Sequence, residues 1–305
     1  MCARLMDNSK DSHAGGNGDG ELKIYFLPNL FTAANLFCGF LALTIIVSAP
    51  SLYTDNLDDF DQAKQWIYWA LQLILLACVF DALDGRVARM GGYESPFGRE
   101  FDSLADIVSF GLVPAFLVHR VVLRDVFGEG KIPVEAGWFI ASIYVICGAM
   151  RLARFNCLAA IEEARPKDSK SDHSKEFIGF PIPAAAGLVA SITYFLIWFE
   201  EREFTKGNWK FALPVLLVFL SIMMVSKVKY PTFKKINLRG ARSFLKVVIA
   251  AIGIGLLFTF REKALPIVAP LIFIVYLLYG FVRPWLPHRA RKDIEEDEPV
   301  AEGKG

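Results

Sequence analysis

Asp81-Ala82-Leu83-Asp84-Gly85-Arg86-Val87-Ala88-Arg89, followed by Gly98-Arg99-Glu100-Phe101-Asp102-Ser103-Leu104-Ala105-Asp106, decides both the fold and the chemistry of this chain. Its four aspartates stand at the ends of two strongly apolar segments, where an uncompensated negative charge is expensive. On a helix, Asp81 and Asp84 are three apart and Asp102 and Asp106 four apart, so each pair shares a face. Two helices joined through the linker from Gly91 to Gly98 would point four carboxylates at one small volume. Two divalent cations are the simplest compensation, because oxygen donors suit hard ions such as Mg²⁺ or Mn²⁺ and no soft-ligand cluster accompanies them.

The chain around this stretch is built for a membrane. Of its 305 residues 54% are hydrophobic, 26 are Phe, and the mean hydropathy is +0.39. A soluble domain of this size would not need repeated apolar runs approaching the roughly 20 residues that cross a bilayer. The net charge of +1 makes no case for nucleic acid as a partner. The five cysteines show no CxxC spacing, and we read Cys38, Cys78, Cys147 and Cys157 as reduced packing residues. The expected fold is therefore all-α, a polytopic integral membrane helical bundle of about eight transmembrane helices.

The spans are expected at about Ile24 to Ser48, Trp66 to Asp84, Gly98 to Val122, Val134 to Arg151, Pro183 to Phe199, Phe211 to Val228, Phe244 to Phe260 and Ala264 to Phe281. Residues 1–23 are a polar cytoplasmic tail, 24–228 a six-span catalytic core, 229–283 a basic linker with two further spans, and 284–305 a second cytoplasmic tail. Residues 49–64 read as an acidic loop, and Pro114 is expected to bend the third span. In the first span Asn29, Thr32 and Asn35 recur every three residues, giving one polar stripe that must face protein or a ligand. If the motif loop is cytoplasmic, that side also receives Arg151, Arg154, Arg165, Lys167 and the basic linker from Lys229 to Arg242. The positive-inside rule then places both termini and the aspartates on the cytoplasmic face of a prokaryotic inner membrane.

The pattern Asp-x-x-Asp-Gly-x-x-Ala-Arg, eight residues, Gly-x-x-x-Asp-x-x-x-Asp resembles the signature of the CDP-alcohol phosphatidyltransferases at every defining position from Asp81 to Asp106. The resemblance implies that family's membrane fold and its reaction on a nucleotide-activated lipid. It implies that Asp81, Asp84 and Asp102 are metal ligands, with two ions per site. Asp106 would combine metal contact with the role of base toward the incoming alcohol. Gly85, Ala88, Arg89 and Gly98 would line the cytidine and pyrophosphate pocket, and relatives commonly form homodimers within the membrane. Asn29 and Thr32 are candidate additional contacts to the nucleotide, their other reading being hydrogen bonds between helices.

The acceptor is read elsewhere. Arg151 and Arg154, three apart at the end of the fourth span, present two guanidinium groups that suit a carboxylate-bearing acceptor or snorkel toward lipid phosphates. The runs Leu27 to Thr32, Phe80 to Gly111, Arg151 to Asn156 and Gly179 to Ala185 look like the bacterial and archaeal CDP-diacylglycerol:serine O-phosphatidyltransferases. That likeness implies CDP-diacylglycerol, L-serine and membrane lipids as partners, with phosphatidylserine and CMP as products. Glycerol 3-phosphate or an inositol-type acceptor is the alternative. A membrane transporter with a carboxylate cluster is the alternative of another class, and it would spread its aspartates along a path across the bilayer.

Overall fold

The structure, a computed structural model, describes residues 26–50, 52, 56–91, 95–123, 135–163, 177–199, 211–230 and 265–283. Helix α1 is Phe26–Ser48 and α2 is Leu57–Gly91. A continuous helical rod over 96–123 consists of α3 (Pro96–Asp106), a π-helical segment (Ile107–Leu112), α4 (Val113–Val118) and a second π-helical segment (His119–Leu123). Then come α5 (Glu135–Glu163), β1 (Phe177–Ile178), α6 (Ile182–Phe199), α7 (Ala212–Val225), β2 (Lys229–Tyr230) and α8 (Leu265–Val282).

Six stretches are long and apolar enough to cross a membrane: Asn29–Ser48, Asp58–Arg86, Pro96–Val121, Ala136–Ile161, Ile182–Phe199 and Leu265–Val282. Helix α7, with 14 residues, is apolar but shorter than a bilayer-spanning helix needs. The protein is thus an all-α, multi-pass membrane bundle with six to seven candidate spans among the described residues. Of the eight expected spans, the seventh, Phe244 to Phe260, lies outside the described residues. Helix α2 starts well before Trp66, so Asp58, Asp59 and Asp61 sit on helix rather than in a loop. Asp58 and Asp59 occupy its first turn, where negative charge is favourable. Helix α5 likewise runs on past Arg151 to Glu163.

Each span buries one face and turns large apolar side chains outward. On α1 Ala42 and Ile46 are fully buried, whereas Phe37 and Phe40 are more than 60% exposed, as a lipid-facing surface requires. Lipid tails are as apolar as leucine, so burial alone does not hold such helices together and close packing through small residues must contribute. A Cβ at Gly39 would overlap Ser109, one at Gly148 would press on Ile182, and one at Gly187 would enter the ring of Phe273. These three contacts seat α1 on the first π segment, α5 on α6, and α6 on α8. The π segments leave irregular carbonyls, and Tyr144 of α5 donates its hydroxyl to that of Phe110 at 3.2 Å. Pro114 is the second residue of α4, directly after this segment, where its missing N–H falls beside an already interrupted ladder.

A two-stranded pairing links the segment before α6 to the segment after α7. Strand β1 pairs antiparallel with β2, Phe177 opposite Tyr230. Gly179 follows with φ of 88°, a left-handed conformation that favours glycine, and donates its N–H to the Val228 carbonyl at 2.8 Å. The Gly187–Phe273 contact has a direct consequence. Gly187→Leu should destabilise the protein by about 1–3 kcal/mol through overpacking between α6 and α8. A lowered thermal midpoint in detergent would show it, and an unchanged midpoint would contradict the packing described.

Candidate active site

The site is assembled where α1, α2, α3 and α5 meet. Helix α3 is started firmly by its sequence. Ser95 in extended conformation accepts the Gly98 N–H on its side-chain oxygen at 3.0 Å, and Pro96 occupies the first turn. That start fixes the phase of the helix, which places Asp102 and Asp106 one above the other and leaves Ser103 beside them facing α5. Ser103 accepts a hydrogen bond from Asn156 at 3.0 Å. The π segment begins at Ile107, immediately after Asp106. Single π turns are frequent at functional sites because they re-aim neighbouring side chains.

Asp81 from α2 meets Asp102 and Asp106 from α3, with ligand oxygens all within 4.8 Å of one another. Asp106 is buried and the other two are half-buried. Asp84, also buried, stands apart from this triad and accepts a hydrogen bond from the Thr32 hydroxyl of α1. It remains within electrostatic reach of Asp102. Asn35 donates to Asp106 at 3.3 Å, while Ser109 donates to the Asn35 carbonyl at 3.1 Å. The stripe on α1 is therefore used residue by residue: Thr32 holds one carboxylate and Asn35 another. Thr32 thereby takes up the helix-to-helix hydrogen bond that was its other reading.

The remaining expected site residues fall around this centre. Asn29 reaches Gly98, where an added Cβ would lie 3.4 Å from its Oδ1, and its buried Nδ2 has no hydrogen-bond partner among the described residues. Gly85 follows Asp84 on the half-buried part of α2. Ala88 and Arg89 lie on the last turns of α2, their side chains outside the described residues. Arg151 is buried, lies within electrostatic reach of Asp106 and Asp81, and keeps an Nε without a hydrogen-bond partner among the described residues. Arg154 donates to the carbonyls of Val225 at 3.2 Å and Met224 at 3.4 Å, at the C-terminal end of α7. Cations at that end satisfy orphan carbonyls and complement the helix dipole.

Asn35 was visible only as part of a polar stripe, and its spacing from Thr32 was the signal that could have found it. Ser109 and Tyr144 carried no comparable signal, because their partners are backbone carbonyls on other helices. The donor set fits a divalent cation. Three converging carboxylates, one buried, bring more negative charge than the Arg151 guanidinium balances, and all are hard oxygen ligands.

The CDP-alcohol phosphatidyltransferase family pattern matches residues 25–226, two thirds of the chain and all of the helices that build this centre. The chain belongs to the CDP-alcohol phosphatidyltransferase family. It is 33% identical over 264 residues to the CDP-diacylglycerol–serine O-phosphatidyltransferase of Helicobacter pylori, covering 86% of this chain and 92% of that one. It is 33% identical over 216 residues to the enzyme of the same name from Bacillus subtilis, covering 69% and 92%. It is 28% identical over 207 residues to the archaetidylserine synthase of Methanothermobacter thermautotrophicus, covering 67% and 69%. The protein is a membrane-embedded transferase of the CDP-alcohol phosphatidyltransferase type, with a candidate acidic metal-binding cluster.

Asp102→Asn keeps the size of the side chain and removes one negative ligand from the triad. CMP release from CDP-diacylglycerol should fall by at least about 100-fold, the upper range for loss of even an outer partner of a metal. The thermal midpoint should stay near that of the parent, since α3 is held by its cap and its packing. Full turnover in D102N would remove Asp102 from the metal site.

Proposed function

We propose that the protein transfers the phosphatidyl group of CDP-diacylglycerol to the hydroxyl of L-serine, giving phosphatidylserine and CMP. The observation that carries this reading is Arg151. A buried guanidinium with an unused Nε, next to the carboxylate most deeply buried in the cluster, suits an acceptor that brings its own carboxylate close to its hydroxyl. The names of the relatives, bacterial and archaeal, support serine as that acceptor.

In this reading Asp81, Asp84, Asp102 and Asp106 hold two Mg²⁺ or Mn²⁺ ions, which supply charge neutralisation for the pyrophosphate and the departing CMP. Thr32 and Asn35 keep Asp84 and Asp106 in place, so the carboxylates do not rearrange when substrate arrives. Asn29, Thr32, Gly85, Ala88, Arg89 and Gly98 border the nucleotide and its pyrophosphate. The close approach of Asn29 to Gly98 supports this grouping, because a side chain at 98 would fill the space between α1 and α3. Asp106 accepts the proton of the serine hydroxyl as its oxygen bonds to the phosphatidyl phosphorus. The bond from that phosphorus to the oxygen of CMP breaks, and CMP leaves with the electron pair. Arg151 binds the serine carboxylate. Arg154 adds positive potential from one turn away while its N–H groups hold α7.

The same reading puts the site and both termini on the cytoplasmic side of the inner membrane, where CTP-derived nucleotide and serine are available, and treats the chain as a homodimer. It also takes 24–228 as the catalytic core and 229–283 as an addition to it. The test is acceptor-dependent CMP release by purified protein in lipid nanodiscs with CDP-diacylglycerol and Mg²⁺ or Mn²⁺. L-serine should release CMP and yield phosphatidylserine. Release with glycerol 3-phosphate or an inositol phosphate, and none with L-serine, would overturn the assignment.

A further inference from the structure

Helix α8 lies beyond the matched segment 25–226 and packs against α6 and β2. Its half-buried Tyr276 belongs to a trio of rings from three separate segments. Its centroid is 5.8 Å from that of Phe180, before α6, and 5.8 Å from that of Tyr230 on β2, while Phe180 and Tyr230 meet edge to face at 5.2 Å. One turn further along α8, Gly280 admits the Tyr230 ring where any Cβ would overlap it. This packing leaves the Tyr276 ring little rotamer freedom.

Tyr276 is within electrostatic reach of Arg151, and Tyr230 of Tyr276. At the two ends of that series, the buried Arg151 Nε and the buried Tyr230 hydroxyl have no hydrogen-bond partner among the described residues. Buried polar atoms in folded proteins are nearly always satisfied, so an orphan on each of the two groups within electrostatic reach of Tyr276 indicates a polar partner still to come. A carboxylate offers about four lone-pair positions and accepts from a guanidinium and a phenol together.

We propose that Tyr276 is an acceptor-binding residue supplied by α8, its hydroxyl donating to the carboxylate of the acceptor beside Arg151. The proposal rests on the assignment of Arg151 to the acceptor. It gives α8 a part in specificity: an amino alcohol with a carboxylate is held at two donors, whereas the same skeleton without one is not. L-serine and ethanolamine are such a pair.

Tyr276→Phe keeps the ring trio and removes only the hydroxyl. In the full-length protein in nanodiscs, KM for L-serine should rise about tenfold, the lower range for losing a hydrogen bond to a charged group. KM for CDP-diacylglycerol and kcat should stay within about twofold, and the preference for L-serine over ethanolamine should shrink by the same factor of about ten. A ring that serves packing alone would leave all of these unchanged in Y276F, and that result overturns the proposal. Should the parent protein be saturated by a different acceptor, the comparison is made on that acceptor. A raised KM in Y276F then keeps Tyr276 at the site while the serine assignment falls, and an unchanged KM removes Tyr276. Independently of turnover, 3-fluorotyrosine placed at position 276 should show a ¹⁹F shift on adding L-serine with CDP-diacylglycerol but not on adding ethanolamine. Absence of any shift with L-serine overturns the proposal.

Discussion

Concentrating carboxylates among membrane helices is the constraint on which the rest of this structure depends. Asp84 and Asp106 are buried, and Asp81 and Asp102 half-buried, in a bundle whose outer surface is phenylalanine, leucine and isoleucine. Desolvating even one ionised carboxylate costs several kcal/mol after relaxation, roughly, unless charge and hydrogen bonds compensate. The bundle provides partial compensation from its own residues: Thr32 for Asp84, Asn35 for Asp106, and the Arg151 guanidinium nearby. The rest could be supplied by a divalent cation at the triad of Asp81, Asp102 and Asp106.

The same constraint explains the irregular middle of the third span. Asp106 must point at Asp81 while the next turns present Ser109 and Gly111 to α1 and α6 for close packing. A regular α-helix changes direction by a fixed angle per residue, and one π-helical turn shifts that phase. Tyr144 donates to the buried carbonyl of Phe110 within the π segment. Glycines at 39, 148 and 187 let helices approach where a bilayer provides little other drive.

Much of this was legible in the chain. The family was legible from Asp81 to Asp106 because that stretch resembles the family's signature at every defining position; the helical spacing of the carboxylates by itself pointed only to a cation site. The partition of the aspartates was not legible. Asp84 separates from the triad because Thr32 of α1 engages it, and the pairing of a residue at 32 with one at 84 is a tertiary fact without local signature. Arg151 and Arg154 looked equivalent at three-residue spacing, yet Arg151 is buried within electrostatic reach of Asp106 and Asp81, while Arg154 donates to carbonyls of α7. Apolar periodicity placed the spans but misjudged their ends, since α2 and α5 continue as helix into water-facing turns where hydropathy falls but helix propensity does not. Tyr276 carried no such signal as the stripe gave Asn35, because its ring partners, Phe180 and Tyr230, lie far from it along the chain.

The central claim is that the cluster of Asp81, Asp102 and Asp106 is a divalent-cation site. Electron paramagnetic resonance of Mn²⁺ titrated into the full-length protein in nanodiscs, with CDP-diacylglycerol present, measures it directly. The account predicts Mn²⁺ bound in a defined ratio to protein and displaced by Mg²⁺, with that binding lost in Asp81→Asn. Mn²⁺ that stays free in the parent protein, or binds D81N equally well, would contradict it.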